Sequence, residues 1–196
     1  QLEHTLFPLG HLRKTETREI AEENGLVTAF KPDSQDICFV PDGNYAEVVK
    51  LHSDIPVKSG NFIDIHGNVV GRHKGIIYYT IGQRRGIGIS SSHPLYVCRI
   101  SARNNTVTVG REEDLYSKMV FADNFNFISD VYNEPFRCSA KIRYRHKEQP
   151  ALAIPMDNNC VKIIFDEPQR AVTPGQSAVL YDGDTVIGGG IIRCET

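Results

Sequence analysis

From residue 60 onward the chain is a succession of short β-branched runs separated by turn residues, a texture that builds sheet. Residues 61–65, 68–70, 95–100 and 106–109 read as strands, with turns at His66-Gly67-Asn68 and Arg103-Asn104-Asn105. A second series begins near Met119 and continues through 136–144, 151–154, 160–165, 178–181 and 185–192. Asp157-Asn158-Asn159, Pro174-Gly175 and Asp182-Gly183-Asp184 punctuate it, and strands of this length with such turns fit a closed barrel or a sandwich. Arg111-Glu112-Glu113-Asp114 is the natural boundary between the two β units. Ahead of them, Thr17, Ile20 and Ala21 fall at helical spacing within residues 14–24, and Gly25 supplies a stop signal. A further short helix is expected over residues 45–51. The expected fold is mainly β, behind a helical N-terminal segment.

At 196 residues and 22.0 kDa the chain can form one large domain or two small ones. Twenty-two Lys plus Arg against 24 Asp plus Glu give a formal charge of -2, so no global basic field announces a nucleic acid. The distribution is more telling. Residues 71–110 contain no acid but hold Arg72, Lys74, Arg84, Arg85, Arg99 and Arg103. Residues 137–147 likewise hold Arg137, Lys141, Arg143, Arg145 and Lys147 without an acid. Two local basic tracts on a nearly neutral chain are the pattern of a phosphate-binding footprint.

The five cysteines, at 38, 98, 138, 160 and 194, include no CxxC pair and suggest neither a disulfide framework nor a zinc site. No metal is expected, since His66 and His73 lack a third ligand at a recognised spacing. No apolar run approaches the roughly 20 residues of a membrane span, and the first residues carry no signal-peptide pattern. A reducing cytoplasm and no membrane partner are expected. The chain opens at Gln1 without a methionine and reads as a piece of something longer.

Four motifs invite chemistry. Cys38 sits in Asp33-Ser34-Gln35-Asp36-Ile37-Cys38-Phe39, where short polar neighbours favour thiolate but Ile37 and Phe39 equally suit a buried, inert thiol. Tyr79-Thr80-Ile81-Gly82-Gln83-Arg84-Arg85-Gly86 is either a phosphate-contacting loop or a glycine-rich hairpin with solvated arginines. Arg143-Tyr144-Arg145-His146-Lys147 joins an aromatic ring to cations, a combination that serves base stacking and phosphate neutralisation, or protects a sheet edge. On a strand, Arg143 and Arg145 would face one side and Tyr144 the other. Gly188-Gly189-Gly190 lies inside a strand pattern and is better explained by a bulge or close backbone packing than by a phosphate loop.

Taken together the chain resembles the tRNA-specific 2-thiouridylases. The resemblance is carried by Phe7-Pro8-Leu9-Gly10 with Lys14, Lys31 through Phe39, Gly71-Arg72-His73-Lys74-Gly75 and Tyr79 through Gly86. It continues in Lys141-Ile142-Arg143-Tyr144-Arg145, Phe165-Asp166-Glu167-Pro168, Ala171 through Ala178 and Gly188 through Ile192. What it implies is an ATP-dependent tRNA sulfurtransferase: ATP adenylates the C2 oxygen of the wobble uridine, and a cysteine persulfide delivers sulfur to C2. Cys38 matches the persulfide cysteine, and Arg143, Tyr144 and Gln176 match positions that hold tRNA.

The family's Ser-Gly-Gly-x-Asp-Ser phosphate loop is absent here, as is the second catalytic cysteine that pairs with the persulfide cysteine in a disulfide. The resemblance therefore implies a tail of the ATP-pyrophosphatase domain over residues 1–42. A central β domain over 43–113 and a barrel like the second domain of elongation factor Tu over 114–196 follow it. The isolated chain is expected not to thiolate tRNA, and a persulfide donor protein is the implied partner. The competing reading is a non-enzymatic RNA-binding module with an inert, structural Cys38.

Overall fold

A computed structural model describes residues 4–31, 45–53, 56–128, 132–144 and 146–193. The chain divides into two compact units, Gln1–His52 and Ser53–Thr196. Cys38, Arg145 and Cys194 lie outside the described residues.

In the first unit, helix α1 spans Lys14–Glu23 and α2 spans Tyr45–His52. Glu16 accepts a hydrogen bond from the Arg13 backbone N–H at the start of α1. The helix stops where Gly25 turns left-handed, at φ 65°, and two bonds close the end: Leu26 N–H to the Ala21 carbonyl and Gly25 N–H to that of Glu22. No residue of α1 is buried, and Leu6, Phe7, Leu9, Val27 and Phe30 are all exposed.

The second unit carries ten strands: β1 Gly60–Ile63, β2 Val69–His73, β3 Tyr96–Ser101, β4 Thr106–Gly110, β5 Tyr116–Phe127, β6 Phe136–Lys141, β7 Gln149–Met156, β8 Cys160–Arg170, β9 Ser177–Asp182 and β10 Thr185–Ile192. The first four form a sheet in the order β2-β1-β4-β3, in which only β1 and β4 run parallel. The remaining six close into a barrel, β10-β5-β8-β7-β6-β9, with antiparallel pairing throughout. The fold is thus mainly β, a closed barrel beside a small sheet.

Each body has its own core. The sheet packs Phe62, Tyr79, Ile87, Val97, Val107 and Val109. His73 lies edge-on to Phe62 and Tyr79 within this core. Its Nδ1 accepts from the Gly75 N–H at 3.1 Å, so its proton sits on Nε2, which donates to the Asn105 carbonyl at 3.1 Å. A histidine held this way is a satisfied core residue rather than a ligand. The barrel interior alternates large side chains such as Phe125, Ile163, Phe165 and Leu180 with Ala122, Ala140, Ala151, Ala153 and Ala178. That mixture of sizes fills the interior of a narrow barrel.

Several strand ends differ from the sequence reading, and at β6 and β8 the cause is visible. β6 stops at Lys141 instead of continuing to 144, because the His146 N–H bonds the Arg143 carbonyl and bends the chain into a turn. β8 runs on through Pro168 to Arg170. Its register against β5 shifts between Ser117 and Met119, so Pro168 occupies a bulge where its missing N–H breaks no ladder bond.

The glycine run in β10 lies at register shifts on both sides, against β5 and against β9. A methyl on Gly188 would collide with the Asn126 carbonyl and sit 2.9 Å from the Phe125 ring, and one on Gly190 would sit 2.8 Å from the Asp123 carbonyl oxygen. Gly188→Ala is therefore expected to cost about 2 kcal/mol through overpacking, lowering Tm by about 6 °C. Thermal unfolding checks this, and an unchanged midpoint would contradict the packing described.

Candidate nucleic-acid interface

Three of the residues singled out in the sequence meet at one end of the barrel. Lys141, the last residue of β6, pairs with Val179 near the start of β9, so the turn after β6 and the turn before β9 are neighbours. Arg143 and Tyr144 occupy the first turn and Gln176 the second.

Arg143 joins the two turns. Its Nη2 donates to the Ala171 carbonyl and, at 3.2 Å, to Thr173 Oγ1, whose own hydroxyl donates to the same carbonyl at 2.9 Å. Ala171 is buried and left-handed, at φ 53°, and its N–H bonds the Leu115 carbonyl at 2.7 Å. The guanidinium is half-buried, and burial first, then the nearby Arg170 cation, lowers its pKa from the ordinary arginine value.

Tyr144, by contrast, is 92% exposed. The Lys141 ammonium lies 6.0 Å from its ring centroid. An exposed tyrosine ring with a cation beside it offers a flat apolar face to a nucleobase and a charge to the adjoining phosphate. His146 closes the turn, its pKa lowered by burial and by Arg143 and Lys141.

Gln176 is exposed at the far side of a turn that begins at Thr173. Its carbonyl accepts the Ile192 N–H at 2.8 Å, and the Gly175 N–H donates to the Ile192 carbonyl at 2.8 Å. Backbone bonds thus fix the turn and leave the Gln176 amide side chain exposed.

The basic tracts do not act as blocks. Arg137 is bound to Asp166 through both terminal nitrogens, at 2.8 and 2.5 Å, which neutralises it locally and holds the exposed carboxyl below its usual range. Arg170 faces Glu112 at 3.5 Å and lies over the Tyr96 ring at 5.7 Å. Arg72 and Arg99 sit on β2 and β3, the two edge strands of the sheet, and so do not converge. Arg84 and Arg85 are exposed on the turn after Gly82.

The described cysteines, Cys98, Cys138 and Cys160, are free. Burial and the Asp114 charge push Cys98 up to about 11, and burial pushes Cys138 up to about 11. Burial and the hydrogen bond with Asp123 also raise Cys160. Among the described residues no group of His, Cys, Asp or Glu is arranged to hold a metal ion, and no helix is long and apolar enough to cross a membrane.

Sequence reading singled out Arg143, Tyr144 and Gln176 but missed the contact that joins them. Nothing in the sequence marks Ala171 as left-handed, and only the Thr173-Pro174-Gly175 turn signal lies close to it.

Three domain models match the chain: a tRNA methyl transferase HUP domain over residues 1–42, a tRNA methyl transferase PRC-barrel domain over 50–111 and an aminomethyltransferase β-barrel domain over 117–192. The chain is 52% identical over 194 residues to the tRNA-specific 2-thiouridylase MnmA of Acetivibrio thermocellus, covering 98% of this chain and 54% of that protein. It is 53% identical to the MnmA of Clostridioides difficile (strain 630), with the same coverage. Against MnmA 2 of Thermoanaerobacter sp. (strain X514) identity is 51%, covering 98% of this chain and 53% of that protein. The chain spans about half the length of the curated relatives it matches.

With pKa values near 11, Cys98 and Cys138 hold about a hundredfold less thiolate at neutral pH than an ordinary thiol of pKa 9.0. Iodoacetamide labelling of the folded chain, read by peptide mass spectrometry, should be slow at both and accelerate about tenfold per pH unit below 11. Rapid labelling of either at pH 7 would contradict the burial described.

Proposed function

Because the chain belongs to the tRNA-specific 2-thiouridylase family, we propose that the protein it represents is an ATP-dependent sulfurtransferase that thiolates C2 of a tRNA wobble uridine. The observation that carries the tRNA-binding half of this reading is the convergence of Arg143, exposed Tyr144 and Gln176 at one end of the barrel. The Tyr144 ring with the Lys141 cation beside it and the Gln176 amide suit an unstacked base and its phosphate, on a turn that Arg143 holds in place.

In this reaction the uridine C2 oxygen attacks the α-phosphate of ATP and pyrophosphate leaves, turning a poor leaving group into a good one. The terminal sulfur of a Cys38 persulfide then attacks C2 and AMP departs. A second cysteine of the whole protein attacks the Cys38 sulfur, forming a disulfide and leaving the sulfur on C2. Cys38 lies outside the described residues, and its role rests on the sequence match alone. No Ser-Gly-Gly-x-Asp-Ser phosphate loop occurs in these 196 residues, so ATP is activated elsewhere in the whole protein and this chain alone turns over no ATP. The exposed Leu6, Phe7, Leu9, Val27 and Phe30 of the first unit support its being part of a larger catalytic domain. A persulfide donor protein loads Cys38, and the free thiols suit a reducing, cytoplasmic setting.

The test is thiolation of tRNA by the complete protein supplied with ATP and a persulfide donor. Cys38→Ser is expected to abolish 2-thiouridine formation, measured by nucleoside mass spectrometry, while leaving tRNA binding intact. Undiminished thiolation by the variant would end the mechanism and leave an RNA-binding module with an inert Cys38.

A further inference from the structure

Ala171 is also the seat of a turn from the small sheet. Gly82, at φ 86°, lies directly against it: a methyl group on this glycine would be 3.3 Å from Ala171 Cβ and 3.6 Å from Arg170 Nη1. The Gly82 N–H donates to the Val97 carbonyl at 2.8 Å, and the Val97 N–H donates to the Gln83 carbonyl at 2.9 Å, so the turn is stitched to β3. The Gln83 side chain closes it, with Oε1 accepting the Thr80 N–H at 2.9 Å and Nε2 donating to the Arg85 carbonyl at 2.8 Å.

Arg84 and Arg85 therefore project from a braced base. Consecutive Cα atoms are 3.8 Å apart, which keeps the Arg84 Cα within about 8 Å of that of Gly82. Both side chains are exposed, neither makes an ion pair with any described residue, and residues 71–110 contain no acid. Arg143 is the opposite case: its Nη2 is engaged inside the protein by a carbonyl and a hydroxyl, beside another cation.

We propose that the RNA-contacting surface continues from the barrel turns across Ala171 onto the turn at residues 80–86, where Arg84 and Arg85 contact phosphate, while Arg143 is a positioning residue that fixes the junction. The proposal rests on the tRNA-binding reading above. It predicts a division between the arginines that salt can read. A cation that neutralises a phosphate releases a counterion and adds about 0.7 to 0.9 to the slope of log affinity against log salt. A positioning residue changes affinity at every salt concentration and leaves the slope alone.

The experiment is equilibrium binding of unfractionated tRNA to the full natural protein by fluorescence anisotropy, between about 50 and 200 mM KCl, the range over which phosphate contacts are resolved. Arg84→Ala/Arg85→Ala should lower the slope by about 1.4 to 1.8, and the corresponding double lysine variant should restore it. Arg143→Ala should weaken binding about tenfold at each salt concentration with its slope unchanged, a loss comparable to one misplaced base stack. Arg143→Lys should do no better, since lysine keeps the charge without the planar fork. An unchanged slope for the Arg84/Arg85 alanine pair would overturn the extended surface while leaving tRNA binding itself intact. A slope lowered by Arg143→Ala, or affinity rescued by Arg143→Lys, would overturn the positioning role. Failure of the parent protein to bind tRNA at any salt would sink the tRNA-binding reading and this proposal with it.

Discussion

The bond from Arg143 to the Ala171 carbonyl is the interaction on which the rim of the barrel depends. A left-handed alanine costs roughly 1 to 2 kcal/mol relative to ordinary backbone, and here that residue is buried with its N–H and carbonyl both bonded. Arg143 and Thr173 hold the carbonyl from one side and Leu115 takes the N–H from the other. Four segments distant in sequence thereby converge: the turn that leads into β5, the turn after β6, the turn before β9 and the glycine turn of the small sheet. Tyr96, Leu115 and Ala171 form a small apolar cluster at the same point, with Ile81 and Cys98 against it.

The rest of the barrel is built for packing. Its interior is filled by aromatic and branched side chains set among alanines, the filling a small barrel requires. The glycines of β10 let that strand approach β5 more closely than any side chain would permit. The described thiols of the sheet and barrel, Cys98, Cys138 and Cys160, are buried or half-buried with raised pKa values, the surroundings of packing residues.

Much of this architecture was legible in the sequence because turns and β-branched runs report local geometry. The Gly25 stop, the hairpin at Gly67 and the bulged glycines of β10 follow from residue type alone. The misjudged ends of β6 and β8 had non-local causes. Asp166-Glu167-Pro168 has turn composition, but the partner strand β5 accommodates it as a bulge. Residues 142–144 have strand composition, but the Arg143 side chain leaves the sheet to bind Ala171. At the rim, Tyr144 could be picked out from its chemistry and Gln176 from the family resemblance, whereas the left-handed Ala171 and the seat of Gly82 upon it depend on tertiary contacts. The two basic tracts looked alike in sequence; pairing of Arg137 with Asp166 and engagement of Arg143 set the second apart from Arg84 and Arg85 of the first, which make no ion pair with any described residue.

A crystal structure of the tRNA complex tests the central account most directly. It should find the Arg143 guanidinium still on the Ala171 carbonyl, the Tyr144 ring against a base, and phosphates beside Arg84 and Arg85. Arg143 swung away onto phosphate, with Ala171 relaxed out of its left-handed conformation, would contradict it.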